Sequence, residues 1–186
     1  MVKLRARCVV VGDAAVGKST LCQMFCSDGA VYQKNYTMNV GVELLEKTVP
    51  IPDTSDSVEL FIYDSAGREL FSDACENVWS QPSVVCVVFD VTSEASFNNC
   101  SRWIDRVQTH SHGLHTPGVL VGNKCDLTSR REVDAAAAQA FAQTHTLQYH
   151  ETSAKEIGHY EAPFLSLAAA FHSLYQEQKN SILSLI

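Results

Sequence analysis

Short apolar runs alternate with helix-spaced segments along the whole chain. Runs such as Val84-Val85-Cys86-Val87-Val88-Phe89 are apolar without a break, the pattern of parallel strands covered on both faces. Strands are predicted over residues 4–11, 41–50, 58–63, 84–90, 118–123 and 147–151, and helices over 18–25, 96–111, 134–145 and 163–179. In the last helix Phe164, Leu167, Ala168, Phe171, Leu174 and Tyr175 fall on one face. Pro163 suits its first turn, where a missing N–H costs nothing.

The run V-P-I-P-D-T-S-D-S separates the second and third strands by a turn alone, so that pair is expected to be antiparallel. Every other pair of strands is separated by a helix-sized stretch, which implies right-handed parallel crossovers. The expectation is one α/β domain over residues 1–186, built on a six-stranded, mostly parallel sheet with helices on both faces.

Composition narrows the function classes. A content of 46% hydrophobic and 19% charged residues is that of an ordinary globular domain, and a formal charge of −7 argues against a grip on nucleic acid or anionic lipid. No apolar run approaches the roughly 20 residues that span a bilayer. The opening M-V-K-L-R-A-R-C-V-V-V-G reads as a strand entering a glycine loop, not as a signal peptide. Seven cysteines without C-x-x-C spacing point to core thiols in a reducing compartment, with the cytosol as the default, and not to zinc.

The chemistry begins at Gly12-Asp13-Ala14-Ala15-Val16-Gly17-Lys18-Ser19, which satisfies G-x-x-x-x-G-K-[ST] between a predicted strand and a predicted helix. Gly12 and Gly17 let the backbone curl with its N–H groups inward, and the helix N-terminus adds positive charge. Lys18 is expected to reach the β- and γ-phosphates and Ser19 to ligate Mg²⁺, with Thr20 completing the binding set. Asp64 ends the third strand, where ligands of such sheets bind, and suits Mg²⁺ through water. The Gly67 N–H is expected to meet a γ-phosphate.

Two later loops choose the base. Asn123-Lys124-Cys125-Asp126 closes the fifth strand and Glu151-Thr152-Ser153-Ala154-Lys155 the sixth. The Asp126 carboxylate offers two acceptors to the N1–H and N2–H₂ donors of guanine, whereas adenine has no matching pair. A backbone N–H of the Ser153-Ala154-Lys155 turn is placed to meet guanine O6.

In this order, GDAAVGKS, DSAG, NKCD and ETSAK resemble a Ras-superfamily small GTPase over nearly all the chain. The segments Y-T-M-N-V-G-V-E and F-D-V-T-S-E-A-S-F resemble its Rab branch. There F-I-Y-D-S-A-G-R-E-L and S-F-N-N-C-S-R-W are most similar to the Rab-like subunit of intraflagellar transport complex B. The resemblance implies a P-loop NTPase small G domain that takes GTP or GDP with Mg²⁺. It implies that Tyr32 flanks the guanine opposite the Lys124 stem, and that Asn123, Asp126, Ala154 and Lys155 read the base. The switches would centre on residues 36–41 and 67–79. It further implies a small β-sandwich transport subunit and other complex B subunits as partners. A link to the BBSome or an Arf-like GTPase, and a place in cytoplasm and cilium at the basal body or axoneme, also follow from it.

Three departures from that pattern matter. The threonine that senses the γ-phosphate and Mg²⁺ aligns with Asn39, and Thr37 could replace it only if the loop shifts. The glutamine that positions the attacking water aligns with Arg68, which has donors but no acceptor. No confident catalytic residue therefore remains, and slow hydrolysis is expected. The run Asn180-Ser181-Ile182-Leu183-Ser184-Leu185-Ile186 contains no cysteine for prenylation, so recruitment through proteins is expected. A GTP-controlled binding subunit is the leading reading. A conventional Rab-type GTPase of vesicle traffic, a P-loop kinase and a structural pseudo-GTPase remain open at this point.

Overall fold

The computed structural model describes residues 1–30, 42–65, 79, 81–111, 115–153, 155–156 and 159–184. The expected contributions of Tyr32, Thr37, Asn39, Gly67, Arg68 and Ala154 lie outside the described residues.

Strands β1 (Lys3–Val11), β2 (Val42–Pro50), β3 (Ser57–Ser65), β4 (Val84–Asp90), β5 (Gly118–Asn123) and β6 (Gln148–Thr152) form one sheet in the order β2-β3-β1-β4-β5-β6. Among the described residues only β2 and β3 pair antiparallel, as the short turn between them requires. Helices α1 (Lys18–Cys26), α2 (Glu94–Asn98), α3 (Cys100–Thr109), α4 (Ala135–Thr144) and α5 (Ala162–Leu183) connect or cover the strands.

Every residue of β4 and β5 is buried, which explains their unbroken apolar runs. One apolar layer packs against α1 and α5, where Phe25 stacks on Phe164 with ring centroids 4.3 Å apart. The opposite layer packs Val9, Val87 and Phe89 against Trp103, Ile104 and Val107 of α3 and against Ala138 and Ala142 of α4. Cys8, Cys22, Cys86 and Cys100 are buried free thiols, and burial raises the pKa of each.

Two helices depart most from expectation. The helix expected over 96–111 is divided at Asn99, and its first part starts two residues earlier because Ser93 caps it by accepting from the Ser96 N–H. The last helix runs four residues past 179, since N-S-I-L contains neither glycine nor proline to stop it. Its His172 ring lies 3.1 Å from the Asp56 carboxylate, which also accepts the Val2 N–H, so α5 is tied to the β2–β3 turn. The His172 hydrogen bond, followed by that of Val2, holds the Asp56 carboxyl below its ordinary range.

Candidate functional site

The carboxyl ends of β1, β3, β4, β5 and β6 lie together at one rim of the sheet. The loop after β1 turns sharply where glycine is obligatory. Gly12 has φ +143°, and a Cβ there would stand 2.0 Å from the Val88 carbonyl oxygen. Gly17 has φ +97°, and its Cβ would meet the Asn123 amide nitrogen at 2.3 Å. Ala15 between them also adopts a left-handed backbone, φ 64°. Among the described residues no side chain caps α1 and its first turn holds no acid, so its leading N–H groups suit an anion.

Lys18 is buried, with its ammonium donating to the carbonyls of Gly12 (2.9 Å) and Asp13 (2.8 Å). It therefore lies along the inside of its own loop, poised at the mouth where phosphate oxygens would enter. Asp64, fully buried at the end of β3, is in register with Val10 of β1, so its carboxylate stands beside the start of the loop. Its charge adds to burial in raising the Cys22 thiol pKa. Ser19 in the first turn of α1 and Asp64 supply the hard oxygen donors that Mg²⁺ prefers.

The loops after β5 and β6 are joined to the phosphate loop by side chains. Asn123 is buried; its amide nitrogen donates to the Val16 carbonyl (2.8 Å) and its oxygen accepts from the Thr152 hydroxyl (3.0 Å). Both ends of this side chain are committed to protein, which makes Asn123 a tie between three loops. Lys124, at φ 65°, donates to the Ala15 carbonyl (2.8 Å) and pairs with Asp90 at the end of β4. Burial pushes the Asp90 carboxyl up, but hydrogen bonds from Lys124 and Thr92 outweigh it and hold it below its usual range.

Asp126 projects toward a cavity of about 180 Å³ lined by Gly17, Thr20, Asn123, Lys124, Asp126 and Lys155. One Asp126 oxygen accepts from the Ser153 hydroxyl (2.8 Å) and the other faces the Lys155 ammonium at 3.5 Å. The Lys155 N–H in turn donates to the Ser153 hydroxyl (3.2 Å), which fixes the turn. Arg131 buttresses this corner through two 2.8 Å bonds to Glu151, whose carboxylate also accepts from Tyr149. Arg131 is the main cause holding the Glu151 carboxyl below its ordinary range.

The structure thus gathers residues 12–20, Asp64, Asn123, Lys124, Asp126, Ser153 and Lys155 at one rim. Sequence reasoning did not single out Asp90, Arg131, Thr152 or Ser65. Asp90 and Thr152 end strands at the ligand rim, and that position was their available signal. The cradle of N–H groups, the buried ammonium, the two oxygen donors and the paired-acceptor carboxylate fit a guanine nucleotide with Mg²⁺.

Comparison with known proteins agrees with this geometry. The pattern of the Ras family matches residues 7–173. The chain is 56% identical over 178 residues to the intraflagellar transport protein 27 homolog of Homo sapiens, covering 96% of each. It is 40% identical over 179 residues to intraflagellar transport protein 27 of Chlamydomonas reinhardtii, covering 94% of this chain and 88% of the relative. The GTP-binding protein YPTM1 of Zea mays is 36% identical over 162 residues, covering 87% of this chain and 76% of the relative.

Proposed function

The chain belongs to the Ras family, and from that premise we propose that it is a guanine-nucleotide-binding subunit of the intraflagellar transport machinery that hydrolyses GTP slowly. The observation that carries the nucleotide half is the joined cradle, in which Asn123 and Lys124 lock the base-side loop onto the phosphate loop. The names of its relatives support the transport half. The setting is the cilium, with other complex B subunits as partners. Among the described residues no helix is long and apolar enough to cross a membrane.

The residues divide the work by chemistry. The loop from Gly12 to Gly17 presents N–H groups to the phosphates and Lys18 adds a point charge. Asp126 accepts the two guanine donors, Ser153 and Lys155 hold that carboxylate in place, and the Lys124 stem covers one face of the base. Bound Mg²⁺ would offset phosphate charge, held by Ser19 and, through water, by Asp64. Asn39 offers a carbonyl oxygen where the family carries threonine.

Titration with GTP, GDP and ATP in Mg²⁺ buffer tests the reading. Guanine nucleotides are expected to bind on the order of a hundredfold or more tighter than ATP, because adenine has no paired donors for Asp126. Equal affinity for ATP and GTP would refute it.

Slow turnover follows from Arg68. An arginine stabilises phosphate charge but cannot accept a hydrogen bond from the attacking water, so the water is not aimed. In single-turnover assays Arg68→Gln is expected to hydrolyse GTP on the order of tenfold to a hundredfold faster than the natural chain. No gain in rate would show that Arg68 does not limit hydrolysis.

A further inference from the structure

An aspartate is an odd resident of an anion-binding loop, since its charge repels phosphate. The structure shows where that charge goes. Asp13 turns its carboxylate away from the loop interior and onto α3. Its Oδ2 accepts from the Asn99 side-chain amide at 2.7 Å and its Oδ1 from the Trp103 indole N–H at 2.8 Å. Asn99 and Trp103 are four residues apart, so they share one helix face and grip one oxygen each. An ionised carboxylate is an acceptor only and both partners are donors, so these are charge-assisted bonds. The carbonyl of the same Asp13 accepts from Lys18. Fixing the carboxylate therefore fixes the peptide plane that orients the phosphate-binding lysine.

The brace extends further. Trp103 packs edge-on against Trp79, with ring centroids 6.5 Å apart and planes at 64°. Trp79 is buried, and its indole N–H donates to the Ser65 hydroxyl at 2.8 Å. Ser65 follows Asp64. The protein has two tryptophans. One indole N–H is anchored on the phosphate loop, the other at the end of the strand that carries Asp64, and the rings meet between them.

We infer that Asn99 and Trp103 are positioning residues for nucleotide binding, acting through Asp13, and that Trp79 with Ser65 carries the same brace to Asp64. The two indoles set the spacing between the phosphate loop and the Mg²⁺-binding strand end. Trp103 lies outside the motifs that contact nucleotide, and Trp79 is the last residue of the expected second switch. This inference rests on the guanine-nucleotide reading above.

The test is release of fluorescent-labelled GDP from the full chain, followed across a range of Mg²⁺ concentrations. Trp103→Phe keeps an aromatic ring but removes the N–H donor along with the pyrrole half of the indole, and is expected to release GDP about tenfold faster, the scale of one hydrogen bond to a charged group. Asn99→Ala, at a half-buried helix start away from the core, gives a second variant with an increase in the same direction. The Asp13→Ala, Trp103→Phe double variant is expected to release no faster than Asp13→Ala alone, which a general loss of packing would not produce. Trp79→Phe is expected to need more Mg²⁺ to reach its slow rate, because the Asp64 end is the part it steadies. A natural chain that retains GDP, with Trp103→Phe and Asn99→Ala releasing at the natural rate or with fully additive double variants, would overturn the brace alone. A natural chain that holds no guanine nucleotide would overturn the nucleotide reading and this role together.

Discussion

Lys18→Ala is expected to lower affinity for both GDP and GTP by about a hundredfold to several thousandfold, measured by equilibrium titration with labelled nucleotide. The residue is 6% exposed, and its ammonium is already inside the loop on the carbonyls of Gly12 and Asp13. Little ordering remains to be done when phosphate arrives, so nearly all of its attraction is realised as binding. Removing one partner of a desolvated charge pair costs about 3–5 kcal/mol, which sets the expected loss. The fold should survive, because α1 is anchored by Leu21, Cys22, Met24 and Phe25 in the core. Circular dichroism separates loss of binding from loss of fold. A folded Lys18→Ala protein with natural GDP affinity would remove Lys18 from the site.

Asp126→Asn is expected to discriminate differently: guanine affinity falls by about two to four orders of magnitude while phosphate contacts remain. The natural carboxylate presents two acceptors to two donors, each charge-assisted bond contributing about 1.5–3 kcal/mol. Asparagine keeps one acceptor and turns an NH₂ toward a guanine donor, so one bond becomes a donor–donor clash. The loop should hold its shape, since the Ser153 hydroxyl can still donate to the remaining oxygen and Asn123 stays tied to Val16 and Thr152. Competition of GDP against xanthosine diphosphate is the measurement. Xanthine carries a carbonyl where guanine has its amino group, so the variant should shift its preference toward it. An unchanged preference for guanine would mean that Asp126 does not read the base.

Particular residues show how far the sequence could be read. The phosphate loop was legible because its features are local: the φ of Gly12 and Gly17, the following helix and Lys18 all lie within a few residues. The β4 and β5 runs were equally plain, since burial on both faces leaves no alternation to mistake. The break at Asn99 was not, because residues 96–111 keep a helical period across it. The extension of α5 past 179 was missed because its last two turns are exposed and carry little periodic signal.

Sequence by itself determined the fold class, the glycine loop proposed to take phosphate, the carboxylate proposed to read the base and the arginine that aligns with the family's water-positioning glutamine. Each is a property of a short stretch whose chemistry its neighbours complete. Only the tertiary structure decided the strand order, and with it the pairings across the site. Asp13 meets Asn99 and Trp103 across 86 and 90 residues, and Asn123 meets Val16 across 107. These contacts exist because parallel crossovers bring distant strand ends to one rim. No periodicity along the chain encodes which donor then finds which acceptor.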